Sequence, residues 1–353
     1  MKSITTTGLD IAKDVFQVHC AAVDQSMVVS RPLKRRDVLT FFAKQPPHLI
    51  GIEACGTAHH WARELTALGH TVKLLVPRDV KGYLRRGKTD AADAEAICEA
   101  VTRERHKGVP LKTVEQQAEL LAHKVRASFI DQRTETMNRL RSHLAEFGIV
   151  AQVGGTGIAK LVEVVDDATS DRLPSRARSA LRSLVHLLAG LETEIAALDV
   201  EIRAAHKASP TSRRLEHIPS VGPLTAHAAA TTVADPRAFA SGRDFAASLG
   251  LTPKLDGTGG KVTLGSITKK GDRYLRRLLY LGAVSQCAAA LRRPEKADPW
   301  LLRLLKTKPF KVAAIALANK TARIIWKLLV SGADYMPNHR TAVPAAAPQE
   351  ARR

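Results

Sequence analysis

Short apolar, β-branched runs alternate with helical spacing over residues 1 to about 107. The runs are Ile4–Asp10, Val15–Val23, His48–Glu53 and Thr71–Leu75, and the intervening Arg35–Ala43 and Ala58–Leu68 carry helical periodicity. Two neighbouring strands followed by strand–helix alternation predict an α/β domain on a mixed sheet. A further helix starts at Thr89, a good N-cap, with Asp90 in the first turn where the helix dipole favours an anion. From Val114 the pattern is helical: Val114, Ala118, Leu121 and Val125 make one stripe, and Met137, Leu140, Leu144 and Phe147 another. The cleanest run is Ala177, Leu181, Leu184, Leu188, Leu191, Ile195, Leu198, Ile202 and Ala205, with steps alternating 4 and 3. Such heptads indicate a coiled coil, either a hairpin within the chain or a contact between copies. Val150 to Pro174, with Gly154, Gly155 and Gly157, reads as a loop with one short helix. A mostly helical third block runs from about Leu215 to Tyr335. It opens on HIPSVGPLTAHAAA, where Pro219 and Gly222 make a tight turn before an Ala-rich helix.

The acids turn this picture from architecture to chemistry. Asp10 and Glu53 each close a strand-like run, and Asp90 and Asp93 are an i, i+3 pair on one helix face. A carboxylate at a strand end is commonly a turn or cap residue, and an acidic first turn is ordinary. Three separate segments that each bring an acid to a sheet edge form a stronger pattern. Four oxygen ligands in one cleft suit a pair of hard divalent cations, and such a pair drives phosphodiester chemistry. Asp14, Glu95 and Glu99 are nearby acids in poorer positions, and His59 and His60 are read as packing or solvent-facing.

Lys and Arg number 54 against 34 Asp and Glu, a net charge of +20 that suits a polyanionic partner, nucleic acid first. No apolar stretch approaches the roughly 20 residues of a membrane span, and the N-terminus lacks the layout of a signal peptide. The cysteines Cys20, Cys55, Cys98 and Cys287 are widely spaced and read as buried thiols in a reducing, cytoplasmic setting. Lys269, Lys270, Arg273, Arg276 and Arg277 predict a basic helix that meets phosphates, and the turn at Gly222 presents backbone N–H groups for the same use. With aromatics at 4%, stacking on single-stranded bases is poorly supported. The Gly-rich stretch Leu255–Lys261 is either a plain surface loop or one that lets a DNA backbone approach the Thr258 hydroxyl. Residues 336–353, Ala/Pro-rich and basic from Ala342, read as a disordered tail.

GLDIAKDVF, IGIEACGTAHHWARELTALGHTV, KTDAADA, IPSVGPLTA, FAASLGLTPKLDGTGGK and ITKKGDRYLRRLL occur in this order. Together they resemble the DEDD-type insertion-sequence transposases, described as bridge-RNA-guided recombinases, over about residues 5 to 335. The resemblance implies an RNase H-like domain similar to the Holliday-junction resolvase RuvC (residues 1–110) and a coiled-coil helical linker (111–210). A mostly helical C-terminal transposase domain (211–335) follows, with a helix–hairpin–helix-like start and a nucleophile loop. It also implies that Asp10, Glu53, Asp90 and Asp93 bind magnesium, two ions per site, and that a hydroxyl of the second domain links covalently to DNA. The acids of one protomer and the hydroxyl of another would compose the site in a homo-oligomer, a dimer or tetramer. A noncoding bridge RNA would pair with donor and target double-stranded DNA, with Gly222, Lys261, Lys269, Lys270, Arg273, Arg276 and Arg277 on nucleic-acid phosphates. The family's serine is replaced here by Thr258, which keeps the hydroxyl but adds a methyl group that narrows its rotamers. Ser266 is the nearest other hydroxyl on a plausible loop. Two rival readings stand beside this one: a metal-dependent nuclease or junction resolvase that uses water, and a nucleic-acid-binding relic without catalysis.

Overall fold

A computed structural model describes residues 3–84, 89–106, 108–258 and 261–337. The chain divides into two units, one built from residues up to 118 with 234–238, the other from 119–233 and from 239 onward. In the first unit the β-branched runs form β1 (Thr6–Asp10) and β2 (Val15–Ala21), followed by β3 (Met27–Lys34) and α1 (Val38–Ala43). Then come β4 (Leu49–Glu53), α2 (Ala58–Ala67), β5 (Thr71–Leu75), α3 (Pro77–Lys81) and α4 (Asp90–Val101). The sheet order is β3-β2-β1-β4-β5. β1, β2 and β3 pair antiparallel, whereas β1, β4 and β5 pair parallel, so the expected mixed sheet is present. Side chains alternate across a strand. Leu9, Phe16, Val18, Ile50 and Ile52 therefore share one face and pack with Phe42, Trp61 and Leu65 of α1 and α2. The opposite face meets α4, whose Ala96, Ile97, Ala100 and Val101 cluster with Leu75 and Val80. Two elements differ from expectation. β3 was not anticipated, because an edge strand with Pro32 and mostly exposed residues shows no alternation. The helix expected at Arg35 begins only at Val38, after a 3₁₀ turn at Arg35–Asp37.

The second unit is helical apart from one hairpin. α5 (Val114–Ala145) enters it, followed by α6 (Gly155–Asp166), α7 (Ser175–Ala208), α8 (Pro210–Glu216), α9 (Pro223–Thr232) and α10 (Gly242–Ser248). Next come β6 (Pro253–Thr258), β7 (Lys261–Ile267), α11 (Arg273–Arg292), α12 (Pro299–Thr307) and α13 (Phe310–Ser331). The heptad positions of α7 are buried or half-buried within this single chain. Leu181 and Leu188 cluster with Leu140 and Leu144 of α5, and Arg126 of α5 pairs with Asp199 of α7 at 2.6 Å. The first α5 stripe fares differently, since Val114, Ala118 and Leu121 are exposed. The main core of the unit joins α9, α10, α11 and α13 through Ala226, Phe245, Leu275, Leu279, Ala283, Ala318 and Ile325. Leu255–Thr258 of the Gly-rich stretch belong to β6, which pairs antiparallel with β7 from Lys261 onward. Beyond Pro337, the expected tail lies outside the described residues.

Candidate metal centre and nucleic-acid interface

Asp10 ends β1 and Glu53 ends β4, and the two strands run parallel with Gly8 beside Gly51 and Leu9 beside Ile52. Both acids are thus delivered to the same sheet edge. Asp90 and Asp93 come from the first turn of α4, fixed by Thr89, whose hydroxyl accepts the Ala92 N–H at 3.2 Å. Two glycines bring helix and sheet together. A Cβ on Gly8 would lie 2.0 Å from the Ala94 carbonyl oxygen and 2.4 Å from the Cys98 nitrogen, and one on Gly51 would lie 2.8 Å from the Val101 Cβ. Only glycine lets α4 lie directly on the strand backbones here, and that close approach carries Asp90 and Asp93 to Asp10. Asp10, Asp90 and Asp93 each offer an oxygen within 4.8 Å of the others. Glu53 stands outside this trio, yet its charge acts on Asp10. Partial burial, then Asp93, Asp90 and Glu53, push the Asp10 carboxyl up to about 6. Burial is the larger cause, and the crowded negative charge of the three neighbouring acids adds to it. Clustered carboxylate oxygens carrying unrelieved charge fit a hard divalent cation, which would be held by Asp10, Asp90 and Asp93 with Glu53 adjoining.

The neighbouring candidates have other work. His59 Nδ1 accepts the Lys112 N–H at 3.3 Å, and His60 lies 3.8 Å from Glu64 and edge-on to Trp61. Burial lowers the His19 pKa, and the charge of nearby Glu95 opposes that shift. Cys20, Cys98 and Cys287 are buried, and burial pushes the Cys98 thiol up to about 12, which keeps it inert. Cys55 is exposed, contrary to expectation, because it lies in the turn between β4 and α2.

Thr258 is the last residue of β6 and pairs with Lys261, the exposed first residue of β7; Gly259 and Gly260 lie outside the described residues. Ser266 belongs to β7 and not to a loop. The basic segment is also redrawn. α11 starts at Arg273, so Lys269 (φ 54°) and Lys270 are exposed on the turn before it, where Gly271 and the cap Asp272 break the helical pattern. Arg273 is exposed. The Arg276 guanidinium donates to the carbonyls of Leu249 at 2.7 Å and Lys270 at 3.0 Å, so it holds the turn together. Arg277 pairs with Asp131 at 3.2 Å. Gly222 is the exposed N-cap of α9, and a Cβ there would meet nothing within 4 Å. Sequence reasoning missed a buried group in this unit: His123 Nδ1 lies 3.0 Å from Tyr274 Oη, and its Nε2 lies 2.9 Å from His227 Nδ1. His123 and His227 are 104 residues apart, so no local pattern links them. Among the described residues, no helix is long and apolar enough to cross a membrane.

Known proteins resemble the chain over most of its length. A DEDD transposase domain of the IS110 type matches residues 7–149, and the Transposase IS116/IS110/IS902 family matches residues 212–298. The chain is 43% identical to a Pseudomonas aeruginosa protein named "Probable family 20 transposase", over 95% of this chain and 99% of the relative. It is 35% identical to the transposase for insertion sequence element IS1328 of Yersinia enterocolitica, over 94% of this chain and 98% of that one. For the transposase of IS1111A from Coxiella burnetii the identity is 33%, over 95% and 92%. The mixed sheet, the acidic trio beside it and the spans of these matches coincide, and the chain belongs to the IS110/IS116/IS902 family of insertion-sequence transposases.

Proposed function

We propose that this transposase cuts and rejoins DNA by transesterification, with magnesium held by Asp10, Glu53, Asp90 and Asp93 and with Thr258 as nucleophile. The observation that carries the reading is the convergence of Asp10, Asp90 and Asp93 within 4.8 Å of one another. When bound, divalent cations supply charge neutralisation at the scissile phosphate and its leaving oxygen. The chain's own residues do the rest. The Thr258 oxygen forms a bond to phosphorus while the bond from phosphorus to the 3′ oxygen breaks. The proton leaves the threonine hydroxyl for a carboxylate and ends on the departing 3′ oxygen. A free 3′-hydroxyl from another strand then attacks the threonine ester and restores both the phosphodiester and the hydroxyl. Bond energy is kept in the ester, so no nucleotide hydrolysis is needed. The family resemblance supports a second protomer as donor of the threonine and a noncoding bridge RNA that chooses the DNA by base pairing. Gly222, Lys261, Lys269, Lys270 and Arg273 would hold phosphates, with Arg276 shaping the turn behind them and Arg277 paired with Asp131 of α5.

The test is a magnesium-dependent protein–DNA adduct on a junction substrate with the element's flanking RNA. Thr258→Ala is expected to abolish the adduct and Thr258→Ser to raise it; an adduct that survives Thr258→Ala refutes the nucleophile. Asp10→Asn is expected to stop strand exchange with nucleic-acid binding intact, and exchange at the native rate would remove the metal assignment. The threonine in place of the family's serine favours one rival, hydrolysis by water, which would leave free ends and no protein-linked DNA.

A further inference from the structure

The end of α11 remote from the β6–β7 hairpin carries a second basic surface. Residues 292–311 hold seven cations and two acids, and all seven cations are exposed. Arg303 and Lys306 stand i, i+3 on the face of α12 opposite its buried Leu301. Lys308 lies in the two-residue joint to α13, and Lys311 is the second residue of that helix. One acid is spent inside the corner. The Asp298 carboxylate accepts the Trp300 N–H at 2.8 Å and pairs with Lys320 at 3.1 Å, and the Lys320 ammonium stands 4.2 Å from the Trp300 ring centroid. Asp298, though exposed, is engaged by the Trp300 N–H and by Lys320, which lies outside these seven cations, so Glu295 is the other acid set against them. These helices extend beyond the span matched by the C-terminal family model, residues 212–298.

We propose that this corner is a phosphate-binding surface that grips the backbone of a nucleic-acid arm, separate from the cations at the start of α11. The inference rests on the reading of the chain as a nucleic-acid-processing enzyme. α11 has 20 residues, and at 1.5 Å per residue its two ends lie about 30 Å apart, close to one duplex turn of roughly 34 Å. Base readout is disfavoured by the packing. α12 has only nine residues, and the shaft of α13 is buried through Ala314, Ala318, Ala322 and Ile325, so neither helix is free to lie in a major groove. Exposed cations on a rigid corner suit the sugar–phosphate backbone, which DNA and RNA share.

The experiment compares full-length protein with Arg303→Gln/Lys306→Gln/Lys311→Gln by fluorescence anisotropy on a duplex DNA and on a hairpin RNA across a salt series. A control variant, Lys160→Gln/Arg172→Gln/Arg176→Gln, removes the same charge from exposed positions around α6 and α7. The slope of log Kd against log salt is expected to fall by about 2 to 3 in the corner variant and to hold in the control, since each duplex phosphate contact contributes roughly 0.9. A fall on DNA alone, RNA alone or both identifies the arm. Unchanged slopes on both nucleic acids, in a variant with the native melting temperature, overturn the proposal, as does an equal fall in the control. If the unsubstituted protein bound neither nucleic acid, the functional reading itself would fall along with the corner.

Discussion

His123 shows how one side chain ties stability to pH. It is fully buried, with Tyr274 on one ring nitrogen and His227 on the other. Glu119 lies 3.8 Å from the far nitrogen of His227, and Arg126 is drawn off by Asp199. Burial first, then His227 and Arg126, push the His123 pKa down to about 4. The folded chain therefore keeps the ring neutral, whereas the unfolded chain protonates it near 6.5. Between those values the unfolded state binds more protons, so stability is complete above about 6.5 and declines as pH falls toward 4. His227, also lowered by burial, acts in the same direction. Calorimetry is expected to show a melting temperature that drops from pH 7 to pH 5, with a smaller drop in His123→Gln. An equal drop in the variant would place the acid sensitivity elsewhere.

At the scale of elements, the site depends on how closely α4 can lie on β1. Gly8→Ala places a methyl group 2.0 Å from the Ala94 carbonyl oxygen, a backbone atom that cannot rotate away. Overpacking of this kind costs about 1–3 kcal/mol, and it moves the helix that carries Asp90 and Asp93. Gly51→Ala meets the Val101 side chain at 2.8 Å and displaces less. Urea titration is expected to rank Gly8→Ala below Gly51→Ala and both below the native chain, with metal-dependent strand exchange falling in the same order; the reverse order would deny the close approach its role. This contact also marks where the sequence stops being legible. The ends of β1 and β4 and the cap of α4 could be read because apolar alternation and Thr89 report them directly. The floor at Gly8 and Gly51 could not, since a glycine leaves no side chain to show which face it serves. α7 was readable because its whole stripe is covered. β6 and β7 were not, because their described residues are almost all exposed and a hydrophobic pattern had no buried face to report. Arg276 and Arg277 read as phosphate ligands by charge, and only the fold reveals the carbonyls and Asp131 that engage them.

For the molecule as a whole, the candidate metal-binding acids and the candidate phosphate-binding cations belong to units with separate cores, one centred on Leu9, Ile50 and Trp61, the other on Leu275, Leu279 and Ala318. A ligand that binds only the folded acidic site stabilises the unit that holds it, by about 2.7 kcal/mol at a concentration 100 times its Kd. Cation binding should therefore be local in its effect. Amide hydrogen exchange of the full chain is expected to slow in β1 and α4 when magnesium is added, to return on chelation, and to stay unchanged in α11 and α13. Asp93→Asn should abolish the slowing, because it removes one of the three oxygens that lie within 4.8 Å of each other. Nucleic-acid affinity in chelator should persist and weaken with salt, since exposed Lys and Arg side chains make those contacts without the metal. Slowing of α11 and α13 equal to that of β1 would mean that magnesium acts through general charge effects on a chain of net charge +20, and the acidic trio would lose its standing as the metal centre.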